Sequence, residues 1–362
     1  MRRWLTLVGT AGVLACQKEE APKAMPRTVS PARPDTVIVA ESFITPFDTI
    51  DNVDSPAVYH DAERHWVLAS AKTTDAVIVY DASTGTVIRR LGTSGTGRGQ
   101  LRRPNGIAVV DSLLFVVERD NHRVQAFQLP SLRPVGSFGE RELRKPYGIA
   151  GVRTGAGAWS VYITDNYEAP DESIPPDREL GARVRQFAVV LGAKGIAAHS
   201  VLAFGDTAGE GVLRTVESII ADSAQGLLLI AEETEVDSHI KVYDVAGKFT
   251  GRIFGRGRFP QQAEGIVLYA CGDTAGYWIA TDQGEQVNTF HVFDRMTLES
   301  RGSFTGRETR LTDGVALTQV PTDRFPSGAL YASHLDGGVT AMAWTDIAGA
   351  LGLRTDCLTS VK

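Results

Sequence analysis

Acidic residues recur at equivalent places along this chain. Asp51, Asp54, Glu217, Glu264 and Asp313 each fall at or just before a short apolar run, and Glu232-Glu233 follows another, Leu227-Leu228-Leu229-Ile230-Ala231. Carboxylates brought together repel and raise one another's pKa unless a cation neutralises them. Hard oxygen ligands in number suit calcium, which takes about six to eight. Alternatively each acid caps or hydrogen-bonds a neighbouring loop, and for any single residue both readings stand. Basic and phenolic groups sit near the same places: Lys72 after Ala69-Ser70-Ala71, Arg119 after Val116-Val117-Glu118, and Lys145 and Tyr147 heading a further run. Beside a calcium–carboxylate cluster they suit a phosphate ester, whose oxygens metal and Arg/Lys neutralise while metal-bound water attacks. Plain surface charge at strand ends is the alternative.

Other chemistries find no support. The seven histidines are scattered, with no pair at metal spacing and no zinc-type Cys/His set. No serine sits in a nucleophile-elbow context. Gly92-Thr93-Ser94-Gly95-Thr96-Gly97-Arg98-Gly99 invites a phosphate-loop reading, but Leu101-Arg102-Arg103-Pro104 leads into a strand, not a helix N-terminus, so it reads as a linker. The net charge of −6 argues against a general nucleic-acid binder.

The elements that must position these residues form a repeat. Six units of three to four short strands begin at Asp54, Pro104, Pro146, Val216, Ala263 and Thr312. Their spacing, about 40–50 residues apart from an inserted third unit, matches a β-propeller. The 37 glycines and 16 prolines suit many strands joined by turns, and 43% hydrophobic with 22% charged residues is a globular balance. No internal run approaches a membrane span. Expected, then, is one all-β domain over 36–362: a six-bladed β-propeller whose innermost strand ends converge on a central channel. Residues 36–43 should complete the last blade and seal the ring. An acidic, Pro-rich insertion at about 167–182 reads as a surface loop, and only Trp344 to Leu351 looks helical.

The N-terminus reads as a targeting segment. Arg2 and Arg3 precede an apolar run from Trp4 to Ala15, and Val13-Leu14-Ala15-Cys16 resembles a bacterial lipoprotein signal. Residues 1–16 would be the signal region, with Cys16 lipidated, and 17–35 a Pro-rich tether. The expectation is an exported protein, lipid-anchored to the cell envelope or extracellular, that meets the membrane only through its anchor. Cys271 and Cys357 could pair in that oxidising compartment or remain two free thiols.

Particular residues carry a family resemblance. Glu264-Gly265-Ile266, Gly276-Tyr277-Trp278-Ile279-Ala280-Thr281-Asp282-Gln283-Gly284 and Phe290-His291-Val292-Phe293-Asp294-Arg295 resemble the fifth blade of the β-propeller phytases. Ala231-Glu232-Glu233, Thr312-Asp313-Gly314-Val315, Phe325-Pro326-Ser327-Gly328 and Trp344-Thr345-Asp346-Ile347-Ala348 resemble other segments of that family, and Asp51 to Val58 its first-blade acidic motif. The resemblance spans 36–352. It implies a six-bladed, calcium-dependent phosphomonoesterase that removes phosphates from phytate, myo-inositol hexakisphosphate, or a similar small phosphorylated substrate. Asp54, Glu217, Glu232, Glu233, Glu264 and Asp313 would then be calcium ligands, with Glu217, Glu264 and Asp313 in the catalytic step. Lys72, Arg119, Tyr147 and Lys145 would hold phosphate oxygens, and the protein would act as a monomer. Departures are Ser55 in place of a second Asp, Asn105-Gly106 in place of a longer acidic motif, Gln262 for an acid, Ser218 for a glycine, and Asp165-Asn166 where a basic–acidic pair is expected. Fewer carboxylates mean fewer or weaker calcium sites.

A competing resemblance is to NHL-repeat propellers, through Gly97 to Val109 and Asn121-His122-Arg123-Val124-Gln125-Ala126-Phe127. It implies a non-catalytic scaffold that binds a ligand or protein at the cell envelope.

Overall fold

In the computed structural model, residues 36–234 and 237–360 are described. The signal region, Cys16 and the 17–35 tether lie outside them. Six small sheets succeed one another along the chain, and their innermost strands touch in cyclic order: Val53–His60, Pro104–Val110, Pro146–Gly155, Ile219–Asp222, Ala263–Cys271 and Val315–Thr318, the last returning to the first. This is the six-bladed β-propeller that the repeats predict.

The core is six wedges, one between each pair of neighbouring blades. A blade strand therefore buries both faces. In Leu113–Glu118, Leu113, Phe115 and Val117 pack toward blade three, while Leu114 and Val116 pack toward blade one. Side chains alternate across a strand, so a strand covered on both sides reads as a continuous apolar run rather than an alternating one.

Ring closure differs in detail from the expectation. Residues 36–43 are not one strand. Thr36–Ile38 runs parallel to Ser300–Thr305 as a fifth strand of blade five, and Phe43–Ile44 pairs with Gly338–Ala343 to complete blade six. Glu41 pins the crossing: its carboxylate accepts the backbone N–H groups of Arg307, Glu308 and Thr309 and the Thr309 hydroxyl. The first described residues thus bridge the last two blades.

Trp344–Leu351 is helical and ends at Gly352, whose φ of 66° lies in the left-handed region that favours glycine. Trp344 stacks on Tyr269, ring centroids 4.1 Å apart. Beside this stack Cys271 and Cys357 are joined by a disulfide, Cα atoms 5.0 Å apart, tying the tail to the inner strand of blade five. The 167–182 insertion is exposed through its middle but anchored at both ends. Tyr167 lies against the guanidinium groups of Arg144 and Arg183, and Leu180 packs on Val212.

Candidate functional site

Each inner strand is set by a local break in its ladder. Val53 pairs with Ala71, but the next pair is Pro56 with Ala69. Pro104, Pro146 and Ala263 show the same step, leaving Asp54-Ser55, Asn105-Gly106, Tyr147-Gly148 and Glu264-Gly265 unpaired. In blades four and six the strand begins just after Glu217-Ser218 and Asp313-Gly314. A bulge of this kind re-aims side chains. Asp54, Tyr147, Glu217, Glu264 and Asp313 accordingly line one narrow cavity of about 80 Å³ at one end of the inner strands. Asn105 holds the same position in blade two, wholly buried, with neither amide atom hydrogen-bonded among the described residues. The sequence reading missed it because it sought acids; its place in the repeat is the signal that finds it. Adjoining blades meet so closely here that a Cβ on Gly106 would stand 2.4 Å from the carbonyl oxygen of Tyr147.

A second ring follows from the same repeat. In blades one to five the residue just past the second strand, Lys72, Arg119, Asn166, Glu233 or Gln283, donates its N–H to the carbonyl of Asn52, Arg103, Lys145, Thr215 or Gln262, just ahead of the inner strand. The residue before it does other work. Glu118, Asp165, Glu232 and Asp282 accept backbone N–H groups of the incoming loops: Arg102 for Glu118, Arg144 and Lys145 for Asp165, Arg214 and Thr215 for Glu232, and Gln261 and Gln262 for Asp282. Glu232 is one of these loop caps and also pairs with Lys241 at 2.9 Å. The structure turns it away from the mouth and brings Glu233 there instead. Asp51 is likewise held elsewhere, by Arg90 and Thr74.

The carboxylates at the mouth fall into two groups. On the side of blades four and five, oxygens of Glu217, Glu233 and Glu264 lie within 4.8 Å of one another. Glu233 Oε1 accepts the N–H groups of Glu217 and Ser218, at 3.2 and 3.1 Å. Its Oε2 is buried without a hydrogen-bond partner, and the residue is only 2% exposed. Burial, then the charges of the neighbouring acids, pushes Glu233 and Glu264 well above the ordinary carboxylate range. Glu217 is raised to about 7 by burial and by Asp54, against the opposing pull of Lys72, the Tyr147 phenol that donates to it, and Lys145. Acids this crowded and this poorly solvated favour a cation between them.

On the side of blades six and one, the Lys72 ammonium lies 2.6 Å from Asp54 Oδ2 and 3.9 Å from Asp313 Oδ1. Burial works against that charge, yet Asp54 and Asp313 more than compensate and hold Lys72 protonated. Gln283 donates to Asp313 Oδ1 at 3.1 Å, while Asp313 Oδ2 has no hydrogen-bond partner. Ser55, where the resemblance leads one to expect an acid, donates to Asp54 Oδ1 at 2.5 Å.

Arg119 and Lys145 are not in the central cavity. They line a wider cleft of about 820 Å³, walled on its other side by Tyr167, Glu168 and the rest of the insertion. Arg119 pairs with Asp120 at 2.7 Å, and Lys145 with Glu168. Of the four residues expected to hold phosphate, the fold brings Lys72 and Tyr147 to the carboxylates and sets Arg119 and Lys145 beside them.

No protein-family model matches the chain, nor does any curated protein. Solved structures that resemble it include a nidogen/laminin complex, 14% identical, covering 75% of this chain and 87% of that one with a TM-score of 0.46. Another is the hydrazine synthase of Kuenenia stuttgartiensis, 13% identical, covering 85% and 84% with a TM-score of 0.46. These distant likenesses carry no chemistry to the site.

Proposed function

We propose that this chain is a calcium-dependent phosphomonoesterase of the β-propeller phytase type, acting on myo-inositol hexakisphosphate or a similar phosphate ester. The observation that carries this reading is the Glu217–Glu233–Glu264 cluster with its orphaned, buried Glu233 Oε2, at a mouth that also holds Lys72 and Tyr147. Hard carboxylate oxygens in a buried cluster fit calcium, and these three glutamates would hold it. When bound, the ion supplies charge neutralisation to a phosphoryl oxygen and polarises water. The chain's own groups do the rest. Lys72 contributes a fixed positive charge toward the phosphate, and the Tyr147 phenol, kept protonated by burial and by the surrounding acids, offers a neutral donor. Asp313 Oδ2 is free to take a proton from attacking water. Glu264 shares the charge of the cluster and fixes the ion's place relative to both.

Export to the cell envelope fits the same reading. The Cys271–Cys357 disulfide suits an oxidising compartment, and lipidation at Cys16 would anchor the enzyme there. The NHL-like reading, a non-catalytic scaffold, draws on Arg119 and Lys145, each tied to a neighbouring carboxylate rather than free for phosphate. Phosphate release from phytate by the purified protein separates the two. Release that requires calcium, stops with chelator and falls at least about tenfold in Glu264→Gln supports the enzyme. No release with calcium from neutral to alkaline pH leaves the scaffold.

A further inference from the structure

Five positions separate His60 from His65, a spacing that announces nothing in the sequence. The first hairpin makes them direct neighbours: His60 ends the inner strand of blade one, His65 opens the next, and the two are register partners. Their Nδ1 atoms lie 2.7 Å apart, with ring centroids at 4.9 Å and the rings tilted by 53° rather than stacked. We infer that this pair chelates a borderline divalent transition-metal ion of the zinc class, at the end of the ring opposite the carboxylates. Asp54 stands at the other end of the same strand, roughly 20 Å away at about 3.3 Å per residue. The site is therefore independent of the calcium reading.

Two imidazole nitrogens aimed at each other across 2.7 Å share a proton, because two bare lone pairs at that distance repel. A metal ion can take that proton's place. Zinc sits about 2.0–2.1 Å from imidazole nitrogen in a tetrahedral site, which sets two such ligands roughly 3.3 Å apart. The pair need open by only about 0.6 Å, a small rotation for His65, which is only partly buried. The surroundings already suit an ion. Thr318 Oγ1, which accepts the Val320 N–H, lies 2.8 Å from His60 Nε2. In the tautomer whose Nε2–H donates to that hydroxyl, Nδ1 keeps its lone pair for the metal, and such a partner on the second nitrogen fixes a metal-binding histidine. The turn between the two is held by Asp61: its Oδ1 accepts the N–H groups of Glu63 and Arg64, and its Oδ2 accepts the Tyr59 hydroxyl and the Arg64 guanidinium. Burial, then His65, lowers the His60 pKa to about 4, so protons do not compete for it near neutrality. Imidazole suits zinc, copper or nickel, whereas calcium takes oxygen ligands. Water would complete the coordination. Thr318 lies on the inner strand of blade six, so the ion would also brace the seam between the last blade and the first.

Calorimetric titration of the full-length chain with zinc, at neutral pH in saturating calcium and on protein purified without a histidine tag, tests this directly. The wild-type chain should bind one zinc ion and melt higher with it. His60→Gln and His65→Gln should each weaken that binding at least about tenfold and remove the zinc-induced rise in the thermal midpoint. If His60→Gln does not fold, His65→Gln, on the more open side of the pair, carries the test alone. Thr318→Val should weaken zinc by about tenfold and leave the stoichiometry at one. His199→Gln, an exposed histidine on the outer strand of blade three, should change neither affinity nor midpoint. No bound zinc, or undiminished affinity in a folded His65→Gln, would overturn the inference. Zinc that binds only when calcium is absent would overturn it too, because that ion would sit on the carboxylates. None of these outcomes touches the calcium reading of the glutamate cluster.

Discussion

A methyl group on Gly148 would stand 2.0 Å from the carbonyl oxygen of Glu217, so the inner strands of blades three and four meet backbone to backbone. The Gly148 N–H donates to Thr164 Oγ1, and that hydroxyl donates in turn to the Glu217 carbonyl, at 2.7 and 2.8 Å. Gly148→Ala must therefore displace Glu217 or the blade that carries it. Overpacking of this kind costs about 1–3 kcal/mol. The expected result is a lower thermal midpoint together with weaker calcium binding. Gly349, in the terminal helix with nothing near its Cβ position, is the control: Gly349→Ala should stabilise by about 0.5–1 kcal/mol. Equal behaviour of the two variants would contradict the close approach.

The propeller was legible because every blade repeats the same demand. A strand such as Leu113–Val117 must cover two neighbours at once, and the resulting apolar runs recur along the chain. Acids at blade starts were legible for the same reason, as the residues that follow a break into an inner strand. What the sequence could not separate was Glu232 from Glu233. One residue of register decides which is a loop cap and which enters the mouth, and adjacent side chains on a strand point opposite ways. Asn105 reads in the sequence only as a lost acid, because its place in the ring is set by the repeat rather than by charge. Arg119 and Lys145 each lie near the right strand end, but their carboxylate partners, the adjacent Asp120 and Glu168 of the insertion, hold them beside the central cavity rather than in it. Residues 36–43 read as one strand, whereas long-range pairing with blades five and six and the bonds of Glu41 make them a crossing between blades.

Glu233→Gln should have opposite effects with and without a cation. Glu233 and Glu264 are raised well above 4.5 in the folded chain, first by burial and then by neighbouring charge. The folded state then retains protons that the unfolded chain releases, so without a cation stability falls as pH rises above about 4.5. Removing one carboxylate relieves that repulsion. In chelator at neutral pH, Glu233→Gln should melt higher than wild type; with calcium the order should reverse, because only wild type gains binding energy. Scanning calorimetry in both buffers checks it, and a variant that melts lower in chelator would count against a strained cluster.

At the far end of the inner strands, His60 joins two blades. Its Nδ1 shares a hydrogen bond with His65 Nδ1 at 2.7 Å, and its Nε2 shares one with Thr318 Oγ1 of blade six at 2.8 Å. Burial, and then the nearby His65, lowers its pKa to about 4. A histidine depressed in the folded state charges first in the unfolded chain. Its contribution is full above about 6.5 and is lost as pH falls toward 4, amounting to at most about 3 kcal/mol. Carboxylates titrate in part of this window, so the measurement is a difference: the wild-type midpoint should drop more between pH 7 and pH 4 than that of His60→Gln. Parallel curves would show that His60 is no more buried folded than unfolded.

Cys271 and Cys357 close a loop with a sequence separation of 86 that contains most of blades five and six. Cross-linking so long a loop removes conformations from the unfolded chain, an effect typically of about 2–4 kcal/mol. The folded tail has other holds, however. Trp344 stacks on Tyr269, its indole donates to the Arg354 carbonyl at 2.8 Å, and Thr359 donates to Gln319. The tail should therefore stay docked when the bond is absent, and the loss should appear in global unfolding. Replacing both cysteines by serine should lower the guanidinium midpoint while leaving near-ultraviolet circular dichroism from the Trp344–Tyr269 stack unchanged. A changed aromatic signal with an unchanged midpoint would mean the reverse: the disulfide positions the tail locally and contributes little to closing the ring.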